Sequence, residues 1–421
     1  MARLTRGAAI LLGAALCIAG AQSTTPQSSK RATPDTATKI EIYGYVRGDV
    51  IIDFRTNDPV WFDVNRPSKL PATQGQFGQH GHTWFSARAS RFGTKATIPT
   101  GTKEITVAVE WDLFGVGADS GQTTIRPRLM YGQWGNFGAG QRWSPFMDVD
   151  AFPNILDYWG PNGILDFRNV QLYWQPVLRP AGTRLTLALE RPGGSGDDGV
   201  LADRVELLNI KPRFPAPDIS AEFRRGGTLG YAKLGAIVRW LRWDDVSPGP
   251  FDLSGGVTGW GAMLSGGINA GPWDVLHLQT VYGAGVENYI KDAPNDVGPR
   301  RNPGNVVRPV TGEALPVFAL EAFLDHTWNC QLSSAIGYSR VDIDNSDLQA
   351  QTALHIGQYA LFNLLWTPLP NVMAGGELQW AHRNNLGGDF HASDYRLELS
   401  LKYSFSQAFT PRHAAASPDE Q

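Results

Sequence analysis

Hydrophobic and polar residues alternate through most of the chain between Ile40 and Phe405. Between Tyr395 and Phe405, aromatic residues and leucines fill every second position, and charged residues and serines fill most of the positions between them. The same alternation recurs at Glu104–Phe114 and at Thr183–Arg191. A period of two residues predicts β-strands that have one apolar face and one polar face.

The pattern predicts about sixteen strands, joined by connections that alternate between short and long. The strands are predicted at Ile40–Phe54, Thr83–Ile98, Glu104–Phe114, Thr123–Gly135, Phe137–Ser144, Asp166–Gln175, Thr183–Arg191, Ile219–Arg225, Tyr231–Trp243, Val257–Ala270, Trp273–Gly285, Val317–Thr327, Asn329–Val341, Thr352–Trp366, Val372–Arg383 and His391–Phe405. The longer connections are Arg55–His82, Gly115–Gln122, Pro145–Leu165, Pro192–Asp218, Asp244–Gly256, Val286–Pro316, Asp342–Gln351 and Asn384–Phe390. An even number of strands with this alternation is typical of bacterial outer-membrane barrels.

The alternation alone fits a soluble β-sandwich as well as a membrane barrel. Charge on the polar face of so many strands favours a water-filled lumen, and the N-terminus favours export from the cytoplasm. Met1–Ala21 has a basic start, an apolar middle and a small-residue cleavage site, which together indicate a secretory signal peptide. No later stretch is long and apolar enough for a transmembrane helix. A closed barrel is then the remaining way to satisfy the backbone in lipid.

These observations divide the chain into four parts. Residues 1–21 are the predicted signal peptide, and residues 22–39, which are rich in Ser, Thr, Pro and Gln, form a disordered periplasmic tether. Residues 40–405 form the barrel, and residues 406–421 form a flexible tail. We expect the barrel assembly machinery to recognise the last strand, which is predicted to end at Phe405.

The third long connection, from Pro145 to Leu165, has an unusual composition. Its prolines exclude a regular helix or an inner strand. It also contains Phe146, Tyr158 and Trp159, aromatic side chains that are costly to leave in water. Long structured loops in compact proteins are usually functional. We therefore expect this loop to fold inward and narrow the lumen.

The polar strand faces and this loop supply a set of charges for a pore constriction. The candidates are Arg47, Asp49, Arg88, Glu110, Asp112, Arg126, Arg128, Arg142, Asp148 and Asp150. Arginines facing carboxylates across a narrow pore create a transverse field that selects charged solutes. The alternative for each arginine is a structural ion pair within the barrel wall. Asp148 and Asp150 lack a third ligand at a useful spacing, so no metal or other cofactor is expected.

Three long stretches also resemble a known family. They are SARASRFGTKAT at residues 86–97, EWDLFGVGADSGQTTIRPRLMYGQWGNFGAGQ at residues 110–141, and WSPFMDVDAFPN…LDYWGPNG within residues 143–163. They resemble the DcaP-like trimeric outer-membrane porins. The resemblance implies a homotrimer, an outer-membrane location in a Gram-negative (diderm) bacterium, and small organic anions such as dicarboxylates as solutes.

Passive, solute-selective diffusion across an outer membrane is therefore the expected function, with outer-membrane lipid as the surroundings. A net charge of −3 over 421 residues argues against nucleic acid as a partner. A barrel enzyme would need a nucleophile–base pair, which the sequence does not display, so no catalysis is expected. A barrel with a plugged lumen that acts in binding or adhesion is the other alternative.

Overall fold

The computed structural model describes residues 37–179, 182–202, 204, 207, 209–247 and 249–411. The predicted signal peptide, residues 22–36 of the predicted tether and residues 412–421 of the predicted tail lie outside the described residues. No helix in the described part of the chain is long and apolar enough to cross a membrane.

The described residues are predominantly strands. They are β1 Lys39–Asp53, β2 His82–Ser86, β3 Arg91–Pro99, β4 Glu104–Phe114, β5 Thr123–Trp134, β6 Phe137–Trp143, β7 Arg168–Leu178, β8 Arg184–Glu190, β9 Ile210–Arg213, β10 Asp218–Gly227, β11 Gly230–Asp245, β12 Gly255–Asn269, β13 Asp274–Ala284, β14 Val297–Arg301, β15 Val310–Ala314, β16 Pro316–Asn329, β17 Leu332–Ile343, β18 Leu354–Leu369, β19 Val372–Asn385 and β20 His391–Phe409. Short 3-10 helices lie at Pro59–Trp61, Pro67–Lys69, Gly117–Asp119, Val149–Ala151, Gly199–Leu201 and Glu287–Tyr289.

The strands close into an antiparallel barrel. Within the described residues one sheet contains 18 strands, and its first strand pairs with its last, β1 with β20. Strands β2 and β3 pair with different halves of β1, and β9 and β10 pair with different halves of β11. Each of these two pairs is one interrupted barrel strand, which leaves sixteen positions around the barrel. The predicted fold class is confirmed.

The two faces of each strand meet different surroundings, as the alternation requires. On β20, Leu399, Leu401 and Tyr403 are exposed on the outer face, whereas Glu398 and Ser400 are buried on the inner face. An exposed apolar outer surface is stable only in lipid. Trp134, which lies next to a short turn, is also exposed, as expected of the aromatic girdle at a membrane interface.

Four details of the predicted strands are wrong. The predicted connection Pro192–Asp218 contains strand β9, Ile210–Arg213, which pairs with β11. The last strand continues beyond Phe405 to Phe409, because Ser406–Phe409 pair with Ile40–Tyr43 of β1; the predicted tail therefore begins as barrel wall. The second predicted strand is broken at residues 87–90, which form a turn. The loop between β13 and β16 contains an additional hairpin, β14–β15.

Three of the long loops fold into the barrel together, and the sequence predicted only one of them. Loop 1 (residues 54–81), loop 3 (residues 144–167) and loop 6 (residues 285–315) contact one another inside the lumen. The Asp292 carboxylate of loop 6 accepts hydrogen bonds from Arg66 Nε and from the Ser68 backbone N–H of loop 1, each at 2.8 Å. Loop 3 meets loop 6 through an antiparallel bridge between Leu165 and Ile290.

The largest buried apolar cluster lies where loops 3 and 6 meet the barrel wall. It contains Phe146 and Leu165 of loop 3, Tyr289 of loop 6, and side chains from the inner faces of β11, β13, β16 and β17. Phe146 and Tyr289 pack edge-on with their ring centroids 5.8 Å apart. The lumen is thus partly filled by a hydrophobic core, which fixes the loops against the wall.

Arg239 on β11 fastens loop 6 and the loop after β8 to the wall. Its guanidinium is almost fully buried and contacts Asp218 at 3.1 Å and Asp296 at 3.0 Å. It also donates to the Gly285 carbonyl at 2.6 Å and to the Gly193 carbonyl. One side chain therefore joins two strands and two extracellular loops.

Replacing Arg239 with Met is expected to lower the free energy of unfolding by about 3–5 kcal/mol, because Asp218 and Asp296 remain buried without their cation. The control is Arg300→Met, whose ion pair with Glu313 in the β14–β15 hairpin is largely exposed; it should cost less than about 1 kcal/mol. Urea unfolding in lipid vesicles, followed by tryptophan fluorescence, measures both. Equal losses in the two variants would contradict the fastening role.

Candidate pore constriction

Loop 3 crosses the lumen, as predicted, and is held by acceptors on the far wall. The backbone N–H groups of Leu156 and Asp157 donate to the Glu377 carboxylate of β19 at 2.7 and 2.9 Å. Nearer the end of the loop, the Gly163 N–H donates to Ser339 Oγ of β17 at 2.8 Å. These bonds come from the backbone, so the wall residues determine the position of the loop. The side chains of the loop remain free to pack and to line the pore.

On the near side, the loop joins the charged residues of β4 and β5. The Tyr158 hydroxyl donates to Asp112 Oδ2 at 2.6 Å and accepts from Arg128 Nη1 at 2.9 Å and Arg91 Nη2 at 3.1 Å. Trp159 packs edge-on against Trp61 of loop 1 with centroids 5.1 Å apart. The aromatic residues of loop 3 therefore connect the loop both to loop 1 and to the arginines of the wall.

Four of the predicted residues form one network, the arginine–carboxylate cluster, made of Glu110, Asp112, Arg126 and Arg128. Arg126 grips Asp112 with two nitrogens, at 2.9 and 2.6 Å. Arg128 donates to Glu110 at 2.8 Å and to Asp112 at 2.9 Å. Asp112 is fully buried, whereas the Arg126 side chain remains partly accessible. The carboxylates thus lie behind the guanidinium groups and hold them in place.

Arg47 and Asp49 form a second network on the strands that close the barrel. Arg47 Nε lies 2.6 Å from Asp49 Oδ1, and its Nη2 contacts the Glu398 carboxylate of β20. Ser400 Oγ donates to Asp49 at 2.6 Å. Both predicted residues face the lumen, and their partners come from the opposite end of the sequence.

Arg142 lies on β6 with the parity that the strand pattern predicts, whereas Arg88 lies outside the regular strands. Arg88 lies in the break between β2 and β3, is almost fully buried, and donates to Asp63 of loop 1 at 2.6 Å and to the Gly115 carbonyl at 2.8 Å. It fastens two loops to the wall. Arg142 stacks over the Tyr173 ring at 4.1 Å. Neither side chain lines the constriction cavity described below.

The two loop aspartates do not face the arginines of β4 and β5, contrary to expectation. Asp148 is buried and accepts a hydrogen bond from Ser265 of β12 at 2.6 Å. Asp150 pairs with Arg224 of β10. The 3-10 turn at Val149–Ala151 aims both carboxylates at the β10–β12 wall instead.

Between loop 3 and the two charged networks lies a cavity of about 280 Å³, which we call the constriction cavity. Seven cationic side chains line it: Arg47, Arg91, Arg126, Arg128, Arg168, Lys291 and Lys402. Two carboxylates are found among its described lining residues, Asp157 and Asp166. Asp157 is held by the Tyr359 hydroxyl at 2.8 Å, and burial raises the pKa of its carboxyl. Cationic side chains therefore outnumber carboxylates among the described residues at the surface of the cavity.

Sequence reasoning missed four of these cations. Arg91 was not among the candidates, because the break at residues 87–90, which inverts the parity of the strand, was not recognised. Lys402 shares the inner face of the last strand with Glu398, so its parity could have identified it. Lys291 comes from loop 6, which has no periodicity that indicates a direction. Arg168 is the first residue of β7, where the strand begins and parity is least informative.

The sequence matches one known family. The sequence model of the DcaP outer membrane protein family covers residues 12–229, which is more than half of the 421 residues. The chain belongs to the DcaP outer membrane protein family. As a DcaP family member it is a β-barrel protein of the Gram-negative outer membrane. No curated protein sequence matches the chain significantly.

Solved structures support the same fold for this DcaP family member. The outer membrane channel DcaP of Acinetobacter baumannii superposes with a TM-score of 0.73 at 21% identity, covering 89% of this chain and 99% of that chain. An anion-selective porin from Comamonas acidovorans gives 0.55 at 10% identity, covering 87% and 100%. Salmonella typhi OmpF, solved in complex with daunomycin, gives 0.53 at 10% identity, covering 89% and 99%. At these identities the likeness concerns the fold alone.

Proposed function

We propose that this channel allows passive, selective diffusion of small organic anions, such as dicarboxylates. The observation that carries the proposal is the charge of the constriction cavity, where seven cations and two carboxylates are found among the described lining residues. A guanidinium keeps its charge at any physiological pH and matches the planar geometry of a carboxylate. Passive diffusion needs no catalytic group, so the proposal includes no enzymatic activity.

The arrangement explains how such a pore selects without trapping its solute. Glu110 and Asp112 fix the guanidinium groups of Arg126 and Arg128 and offset part of their charge. A passing carboxylate therefore meets cations that are positioned in advance and only partly neutralised. Conduction requires binding that is favourable enough to admit a solute and weak enough to release it.

The test is the reversal potential of single channels in a planar bilayer with a salt gradient. Wild-type protein in a KCl gradient should show the sign that corresponds to chloride permeation. When succinate replaces chloride on one side of the bilayer, the reversal potential should still show a measurable permeability to succinate. A cation-selective wild type would end the proposal.

A barrel with a plugged lumen is the second candidate function, and the convergence of loops 1, 3 and 6 inside the barrel favours it. In that case the protein would bind a ligand or a surface instead of conducting. Reconstituted wild-type protein would then produce no discrete conductance steps. Steps of uniform size would exclude the plugged barrel.

A homotrimer is also proposed. The resemblance to trimeric porins supports it, as does a concave apolar groove on the lipid-facing surface of β4–β8, where Gly132 and Ala139 lie between larger side chains such as Trp174. Small residues let a neighbouring barrel approach closely. Native mass measurement in a mild detergent should give three times the mass of the mature chain. A stable and conducting monomer would contradict the trimer.

A further inference from the structure

A second cavity, of about 530 Å³, lies above the constriction at the extracellular mouth. Loop 1, loop 6, loop 7 (residues 344–353) and the ends of the neighbouring strands enclose it. Its lining includes three cations, Arg66 and Lys69 of loop 1 and Arg383 of β19. The carboxylate among its described lining residues is that of Asp197, which accepts hydrogen bonds from Gln349 Nε2 at 2.7 Å and from the Gly199 N–H at 2.9 Å.

The three cations have different environments. Arg66 is paired with Asp292 at 2.8 Å, and Arg383 donates to the Ser68 carbonyl at 2.8 Å and to the Thr352 carbonyl. Lys69 pairs with no carboxylate in the described part of the chain and lies 5.8 Å from the centroid of the Trp61 ring. Burial, and next the Arg66 guanidinium, lower the pKa of the Lys69 ammonium. An anion beside Lys69 would offset both effects.

A pair of tryptophans that pack edge-on connects this cavity to the constriction. Trp61 lines the mouth cavity, and Trp159, which packs against it, lines the constriction cavity. The Arg66 guanidinium lies 4.1 Å from the Trp61 centroid and 4.8 Å from the Trp159 centroid. On the constriction side, the Arg126 guanidinium lies 5.8 Å from the Trp159 centroid. Positively charged side chains therefore lie beside the tryptophan pair on both its mouth side and its constriction side.

We propose that the mouth cavity is a second anion-binding site, which captures small carboxylates on the Lys69 ammonium before they pass the tryptophan pair to the constriction. The inference rests on the proposed function, since a capture site serves only a channel that conducts anions. Arg66 and Arg383 add to the positive potential that attracts an anion, while they keep their hydrogen bonds to Asp292 and to backbone carbonyls. A positive potential at a channel mouth raises the association rate of anions.

The test uses succinate as the probe and Lys69→Gln as the variant. Succinate added to one face of a bilayer should interrupt the KCl current of the wild type, and the frequency of interruptions gives the association rate. In Lys69→Gln this rate should fall by a factor of about five for addition from the extracellular face, as expected for one lost charge near the binding position. The rate from the other face should change by less than a factor of about two, because the constriction screens that approach.

Two variants serve as controls. Lys103→Gln removes the same charge at a short turn at the opposite end of the barrel, where Lys103 lies over Trp134, so it should not reduce the extracellular rate. Lys69→Arg keeps the charge and should retain the wild-type rate.

The possible results separate this inference from the proposed function. An anion-selective wild type whose extracellular association rate is unchanged in Lys69→Gln would overturn the mouth site alone. An anion-selective wild type that succinate never interrupts would do the same. A cation-selective wild type would overturn the proposed function and the mouth site together. An equal reduction in Lys103→Gln would show a general effect of net charge and would also overturn the site.

Discussion

Replacing Met147–Leu156 with a glycine–serine linker of equal length is expected to raise single-channel conductance by a factor of about two or more, because the narrowest part of a pore dominates its resistance. Met147, Ala151 and Leu156 are almost fully buried inside the lumen, and Phe152 lines the constriction cavity. A linker without these side chains keeps the backbone hydrogen bonds to Glu377 and Ser339 but loses the apolar packing and the side-chain bulk that narrow the pore. Discrimination between small and bulky anions should fall at the same time.

The barrel should survive this replacement, since its closure depends on strand pairing, above all that of β1 with β20. The control is the same type of linker at residues 302–309, the exposed tip of loop 6, where Val306 is 84% exposed. That variant should conduct like the wild type. If the loop 3 variant inserts normally and its conductance does not change, loop 3 does not form the constriction.

The double substitution Arg126→Ala/Arg128→Ala is expected to abolish anion preference and to favour cations. Asp112 then loses both of its paired cations, and Glu110 keeps only Arg91, at 3.7 Å, so uncompensated negative charge remains at the lumen. A unit charge 4 Å from a passing ion contributes about 1 kcal/mol even in water and more near protein, so the permeability ratio should change by a factor of about five or more. Reversal potentials near 0.1 M salt measure this change, before screening weakens it.

Two further double variants separate charge from geometry. Arg300→Ala/Arg340→Ala removes the same charge outside the lumen, because Arg300 lies in the exposed hairpin and Arg340 lies on the outer face of β17 beside Asp342; it should leave selectivity unchanged. Arg126→Lys/Arg128→Lys keeps the charge but loses the bidentate hydrogen bonding to Asp112. This variant should remain anion-selective. A shift in the alanine variant no larger than in the outer control would refute the role of the cluster.

These variants test the part of the molecule that sequence reasoning identified best. Glu110, Asp112, Arg126 and Arg128 were assigned to the lumen by parity on β4 and β5, and the structure brings all four into one network. Parity succeeded there because Glu110 and Asp112 are two residues apart, as are Arg126 and Arg128, so each pair shares one face. It did so even though the register between the two strands shifts at this point. It failed for Arg91, which follows the turn at residues 87–90, since one unpaired residue exchanges the two faces of a strand.

Parity also reports only the face of a strand and says nothing of depth or neighbours. Arg47 and Lys402 are far apart in sequence, yet they are directly opposite each other in the β1–β20 register. The alternation of β19 places Glu377 on the inner face like many other polar residues. Its carboxylate nevertheless accepts the two backbone hydrogen bonds that anchor the middle of loop 3. Such relations depend on the register and tilt of the closed barrel, which no single strand specifies.

The sequence by itself determined the barrel, its sixteen strand positions, its short and long connections and the inward course of loop 3. These follow from local chemistry: alternation that suits lipid on one side and water on the other, and a proline-rich aromatic loop that cannot remain in solvent. Only the tertiary structure decided that loops 1 and 6 fold inward as well, and that Asp157 and Asp166, not Asp148 or Asp150, line the constriction cavity. It also decided that Lys291 and Lys69 line the two cavities. Irregular segments have no periodic pattern of apolar and polar residues from which the direction of a side chain can be predicted. Their side chains are positioned by the partners that they contact when the barrel closes.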